Sequence, residues 1–136
     1  MSMLCNHPNI IEFTGYSDTP DFCIVMKMCS YSLHQLIHSS SELEVRVVLK
    51  LAKEVAAGMA FIHQNEILHL DLKPGNILID EYGDDPDKMT AKITDFGFAT
   101  PIEGSSELDR EVSGLKRARI VGMTTEYAAP EVRYLL

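Results

Sequence analysis

No run in this 136-residue chain approaches the ~20 consecutive apolar residues that a membrane-spanning helix needs, so no membrane span is expected. The N-terminus lacks a basic stretch followed by an apolar run and does not read as a secretory signal. Cysteine is scarce: Cys5, Cys23 and Cys29 make an odd count of three, and no pair has the CxxC spacing of a zinc or redox motif. Reduced thiols in a cytosolic or nuclear protein are the expectation. Positive charge is in deficit, with 12 Lys and Arg against 20 Asp and Glu and a net charge of −8. A nucleic-acid binder held by phosphate contacts needs the opposite balance, so no nucleic-acid partner is expected. Internal repeats and low-complexity segments are also absent. What remains is a globular chain, 46% hydrophobic and 24% charged, too apolar for disorder and of a length for one domain.

Turn and strand signals divide the chain. Asn6-His7-Pro8-Asn9 reads as a turn, because Pro8 disfavours helix at His7. The pattern then predicts a strand over Ile10–Tyr16, a turn at Ser17–Asp21 and a second strand at Phe22–Met26, forming an antiparallel pair. Ser41 followed by Glu44 is a capping-box signature. Beyond it Val48, Ala52, Val55, Met59 and Ile62 recur at helical spacing, which predicts a helix from about Glu42 to Gln64 with Asn65 as terminator. Short strands are expected at Asn76–Asp80 and Ala91–Thr94, joined by a polar turn over Glu81–Asp87 that lacks the spacing of an EF-hand loop. From Thr100 to about Val121 the chain reads as a long irregular loop.

The residues able to do chemistry lie in two clusters. His69-Leu70-Asp71-Leu72-Lys73-Pro74-Gly75-Asn76 places Asp71, Lys73 and Asn76 at i, i+2 and i+5, and Asp95-Phe96-Gly97 begins 24 residues after Asp71. A carboxylate can orient a hydroxyl and accept its proton. A lysine can neutralise charge on a phosphoryl group in transfer. An amide oxygen and a second carboxylate are hard ligands suited to Mg²⁺, and glycine permits a sharp turn beside that carboxylate. The inventory fits metal-assisted phosphoryl transfer. Each residue alone is an ordinary loop residue; their joint spacing is the signal. A metal-dependent phosphatase or nuclease built on Asp71 and Asp95 is disfavoured, because no further histidine or carboxylate completes a metal cluster.

The first cluster resembles the protein-kinase catalytic loop H-R-D-L-x-x-x-N, and Asp95-Phe96-Gly97 resembles the D-F-G metal motif of the same family. Gly122-Met123-Thr124-Thr125-Glu126-Tyr127-Ala128-Ala129-Pro130-Glu131 resembles the segment ending in A-P-E, and His7-Pro8-Asn9-Ile10-Ile11 resembles the link from helix C to the next strand. The resemblance covers essentially the whole chain. It implies an α+β, partial protein-kinase-like fold: residues 1–29 would close the small β lobe and form the hinge, and residues 30–136 would form the first part of the helical lobe. It further implies ATP and Mg²⁺ as cofactors and a protein substrate. Asp71 would be the catalytic base, Lys73 would contact the transferred phosphate, and Asn76 and Asp95 would hold Mg²⁺. Thr124 would lie near Asp71 and help form the substrate platform. Met26 is similar to the gatekeeper, Lys27, Met28 and Cys29 to the hinge that meets adenine, and Leu78 to the adenine floor. His69, Phe96 and Phe13 would belong to the hydrophobic spine. Lys73, two residues after the base, is the serine/threonine pattern, and Ser30-Tyr31-Ser32-Leu33 is compatible with the tyrosine-kinase-like group.

Several features depart from the family. No glycine-rich loop, strand lysine or helix-C glutamate precedes the opening strands, and few residues follow Glu131. The expectation is that this chain on its own is inactive and marginally stable. The alternative is a non-catalytic kinase-like module that binds a partner or competes for substrate. Met123 stands where the family has glycine. Leu70 replaces the family's usual arginine, which pairs with a phosphate on the activation loop, so the main reader of that switch is gone. Replacing Ser105, Ser106, Ser113 and Thr125 together by alanine in the intact kinase domain should therefore leave the rate of phosphate transfer within a few fold. A collapse of that rate would show that loop phosphorylation controls it without the arginine.

Overall fold

The computed structural model describes residues 7–39, 43–81, 85–102 and 124–130. The fold is α+β, and it divides into two compact units. One comprises the described residues up to Met59 together with Pro74–Thr94; the other comprises Ala60–Lys73 and the described residues from Asp95 onward.

In the first unit β1 (Phe13–Ser17) and β2 (Cys23–Met26) form the expected antiparallel pair, with Tyr16 opposite Ile24 and Ser17 opposite Cys23. The expected strand over Ile10–Tyr16 is divided. Ile10 and Ile11 are buried and belong to a different pairing: Ile10 bridges Ile93 in parallel, and the Ile11 amide donates to the Ile93 carbonyl at 2.9 Å. Core burial has claimed the two isoleucines, leaving the hairpin to begin at Phe13. Phe22 lies outside β2 and is exposed.

A second sheet has the order β3 (Tyr31–Ser32), β5 (Ile77–Asp80), β6 (Thr90–Ile93), all antiparallel. The latter two match the expected strands to within a residue, Asn76 falling instead in a 3-10 turn over Pro74–Asn76. Of the expected polar turn, residues 82–84 lie outside the described residues, and Pro86–Lys88 form a 3-10 turn. After β3, Ser32 caps the short helix α1 (Leu33–Ile37) with a capping box. The Ser32 hydroxyl accepts the Gln35 amide, and the Gln35 side chain accepts the Ser32 amide at 2.8 Å.

The long helix α2 runs Val45–Gln64. Ser41, the expected cap, lies outside the described residues. Glu44 closes the first turn through its carbonyl, which accepts from the Val47 and Val48 amides. Asn65 ends the helix as expected: its amide and side-chain nitrogen both donate to the Phe61 carbonyl, and Glu66 follows at φ 56°. The buried stripe differs from the expected one. Val47, Leu51, Gly58 and Ile62 are buried, whereas Val48 is 47% exposed and Ala52 is exposed. Apart from Ile62, the inward face is rotated by one residue.

The reason lies in β6. Its outward backbone groups, and the Met89 carbonyl just before it, are taken by side chains of α2 and by the segment before β1. Glu54 accepts the Ala91 amide at 2.8 Å, Lys50 donates to the Met89 carbonyl, and Asn9 donates to the Ala91 carbonyl at 3.0 Å. Lys50 and Glu54 also pair with each other at 3.4 Å. Polar residues with partners at a strand edge thus occupy the inward face of the helix, where a count of apolar side chains does not register them. Around this edge Ile79 and Ile93 are fully buried, each contributing roughly 1.5–3 kcal/mol relative to exposure. The opposite side of α2 leaves Val45, Val48 and Leu49 exposed. Among the described residues no helix is long and apolar enough to cross a membrane.

In the second unit β4 (Ile67–Leu68) pairs antiparallel with β7 (Thr100–Pro101), and the Ile102 amide donates to the Glu66 carbonyl at 2.8 Å. The start of the expected loop at Thr100 is therefore a short strand, and residues 103–121 of that loop lie outside the described residues.

Gly58 is where helix and strand edge come closest. A Cβ there would lie 2.8 Å from Ile93 Cδ1 and 2.9 Å from the Asn9 carbonyl oxygen, which is itself held by the Ile93 amide at 2.9 Å. The side-chain tip can move, but the bonded carbonyl cannot. Gly58→Ala gains about 1 kcal/mol of helix propensity and loses about 1–3 kcal/mol to overpacking, with the second effect the larger because backbone must shift. Amide hydrogen exchange at Ile93 should accelerate by about tenfold, and unchanged protection there would show that the helix recedes without cost.

Candidate active site

The segment that resembles the catalytic loop leaves β4 and turns at once. His69 is almost fully buried, its ring centroid 5.0 Å from that of Phe96 at an interplanar angle of 57°. Leu70 has φ 65°, the left-handed region that a leucine occupies only when its surroundings require it. Asp71 follows, its amide donating to His69 Nδ1 at 3.3 Å, so that ring nitrogen is an acceptor. The Asp71 side chain is 1% exposed. A carboxylate so placed needs a counter-charge and donors. Lys73 Nζ lies 2.8 Å from Asp71 Oδ2. The Thr124 amide donates to Asp71 Oδ1 at 2.9 Å, and the Thr124 hydroxyl donates to the same oxygen. Lys73 Nζ also donates to the Thr124 hydroxyl oxygen at 2.6 Å. A hydroxyl can donate once and accept as well, so one threonine closes the triangle. Three residues expected at the site are thus brought together within the second unit.

Asp95 belongs to the same unit and also has a left-handed backbone, φ 62°. Its Oδ1 accepts the Gly97 amide at 3.2 Å, while the residue as a whole is exposed. A Cβ at Gly97 would lie 3.1 Å from that carboxylate oxygen. The left-handed turn is therefore made by Asp95, and the glycine serves close approach to the carboxylate.

The remaining expected residues are in the first unit. Asn76 is buried, and its carbonyl accepts the Thr94 amide at 3.0 Å. Leu78 lies in β5 between the buried Ile77 and Ile79, half-buried and opposite Ser32 and Lys92 in the flanking strands. Met26 ends β2 and its sulfur accepts from the Thr94 hydroxyl at 4.0 Å. Lys27, Met28 and Cys29 connect β2 to β3, and Met28 is 90% exposed. Burial pushes the Cys29 thiol pKa up, and Asp80 pushes it further, with Lys92 and Lys27 opposing. Phe13 opens β1 and pairs with Met26. One member of this neighbourhood escaped the sequence: Asp80, whose Oδ2 meets Lys27 Nζ at 2.6 Å. The partners are 53 residues apart, and no local pattern links them.

Known proteins resemble this chain over most of its length. The family model described as protein kinase domain matches residues 1–133, and the chain belongs to that family. It is 33% identical over 132 residues to the serine/threonine-protein kinase polo of Drosophila melanogaster, covering 93% of this chain and 20% of that protein. It is 32% identical over 129 residues to the serine/threonine-protein kinase STY17 of Arabidopsis thaliana, with the same coverage, 93% and 20%. It is 31% identical over 132 residues to the serine/threonine-protein kinase PLK1 of Xenopus laevis, covering 93% and 19%. The chain thus spans about a fifth of the length of the curated relatives it matches.

Tyr31, which opens β3, offers a titration marker. Burial first, then the hydrogen bond and charge of Glu81, push its phenol pKa from 10.0 to about 12. The fold favours the protonated phenol, so its contribution to stability is complete below pH 10 and lost as pH rises through about 12. In a phenolate absorbance titration Tyr31→Phe should remove the latest-ionising component, and Glu81→Gln should move that component down. A latest component that persists in Tyr31→Phe would assign it to another tyrosine.

Proposed function

We propose that this chain supplies the catalytic segment of an ATP-dependent protein kinase that transfers the γ-phosphate to serine or threonine hydroxyls of protein substrates. The observation that carries the reading is the closed triangle of Asp71, Lys73 and Thr124, a buried carboxylate held by a lysine and a threonine from far along the chain. Asp71 orients the substrate hydroxyl and accepts its proton as the oxygen bonds to the γ-phosphorus and the bond to the departing ADP oxygen breaks. Lys73 is positioned by Asp71 and Thr124 to neutralise charge on the phosphoryl group in transfer. Thr124 fixes both and forms the substrate platform beside them.

Asp95 and Asn76 each carry a donor suited to magnesium, an exposed carboxylate in the one case and an amide oxygen in the other. Bound magnesium supplies charge neutralisation on the nucleotide phosphates. The bond from the Gly97 amide to Asp95 Oδ1 fixes how that carboxylate is presented. Met26 to Cys29 receive the adenine along the hinge, with Leu78 as its floor. Among the described residues neither Met28 nor Cys29 makes a hydrogen bond, so the backbone of both is available to a heterocycle. The serine/threonine assignment follows Lys73 and the names of the relatives.

In the full-length protein that contains this chain, Asp71→Asn should lower phosphate transfer by at least about a hundredfold. Thr124→Val should lower kcat by about tenfold, with Thr124→Ser restoring most of it, because only the hydroxyl is at stake. Transfer that survives Asp71→Asn would sink this reading. A native product of only this chain's mass with no transferase activity would favour the partner-binding alternative.

A further inference from the structure

The hinge connection is pinned at its ends and bare in its middle. The Lys27 amide donates to the Glu12 carbonyl at 2.9 Å, and the Ser30 amide donates to the Ile79 carbonyl at 2.9 Å. Between these fixed points Met28 is 90% exposed, and Cys29 is half-buried. One side chain of the connection reaches back to the sheet: Lys27 Nζ lies 2.6 Å from Asp80 Oδ2, at side-chain exposures of 32% and 11%. Asp80 closes β5 opposite Thr90 of β6, so its carboxylate stands on a strand paired on both sides. A nearly buried carboxylate is costly without a cation, and the lysine that meets the need belongs to the hinge itself.

We propose that the Lys27–Asp80 pair is a positioning device that sets the affinity of the hinge for the adenine nucleotide, separately from the rate of transfer. The inference rests on the reading of Met26–Cys29 as the adenine-binding segment. The pair holds Lys27 in one orientation, and the backbone of Met28 and Cys29 follows from it through two peptide units. Without the pair, the binding-competent hinge is one member of a wider set of conformations, and apparent affinity falls in proportion to its population. Asp71, Lys73 and Thr124 belong to the other unit and are held by one another.

Cys29 reports on the same charges. Asp80 raises its thiol pKa and Lys27 lowers it. Asp80→Asn therefore speeds alkylation of Cys29 and Lys27→Met slows it, whereas both variants weaken nucleotide binding. Opposite effects on the thiol with a common effect on ATP separate positioning from general loosening, which would expose the thiol in both.

The test uses the full-length protein that contains this chain. Asp80→Asn should raise KM for ATP by about tenfold with kcat within about twofold. Lys27→Met should raise KM similarly, and the double variant should be no worse than the worse single, as expected of two groups acting through one contact. Should Asp80→Asn fold poorly, Lys27→Met and the double variant carry the comparison. KM for ATP within about twofold of the parent in Lys27→Met and the double variant, with transfer still abolished by Asp71→Asn, overturns this inference and leaves the kinase reading standing. A parent protein that neither binds nor uses ATP overturns both.

Discussion

Among the described residues β6 is the last strand of its sheet, so its outer backbone groups need partners from elsewhere. The long helix and the segment before β1 are arranged around that need. Lys50 and Glu54 of α2 take the groups at Met89 and Ala91, Asn9 takes the Ala91 carbonyl, and the backbone of Asn9 and Ile11 takes both groups of Ile93. The helix can come close enough only because position 58 has no side chain. The same demand draws Ile10 and Ile11 away from the hairpin and turns the inward face of α2 by one residue. Strand, helix and entry segment are thus joined by hydrogen bonds whose partners lie as many as 84 residues apart in the chain, as Lys92 and Pro8 illustrate.

The contacts that position chemistry in the second unit are of another kind. There the backbone takes left-handed conformations at Glu66, Leu70 and Asp95, none of them glycine. Each stands where the chain must reverse beside a polar or buried neighbour, and strain of about 1–3 kcal/mol at such a position persists only where the surroundings fix it. The buried ring of His69 and the ion pair of Asp71 with Lys73 flank Leu70, the Gly97 amide holds Asp95, and backbone bonds to His63 and Ile102 hold Glu66.

This difference decides what could be read from sequence. The hairpin, the long helix and the strands β5 and β6 were legible because alternation and helical spacing act within a few residues. The set of Asp71, Lys73, Asn76 and Asp95 was legible as a motif, and Thr124 was legible through its neighbours in the A-P-E segment. The inward face of α2 was misread because Lys50, Glu54 and Gly58 face inward for reasons of hydrogen bonding and clearance, which apolar periodicity does not record. The capping box of Ser32 and Gln35 is local and readable in principle, a serine with a glutamine three residues on. Asp80 was not readable, since nothing local distinguishes it from a strand-end aspartate. The sharp turn beside the second carboxylate was expected at Gly97, and the left-handed residue of that turn is Asp95.

Leu70 carries one more implication. Its backbone conformation is demanded by its place between His69 and Asp71, and leucine and arginine meet that demand at similar steric expense. Exchange between the two leaves the chain path to Asp71 undisturbed while adding or deleting a cation beside the catalytic loop. The position can therefore gain or lose a positive charge beside Asp71 without any rebuilding of the backbone that leads to it.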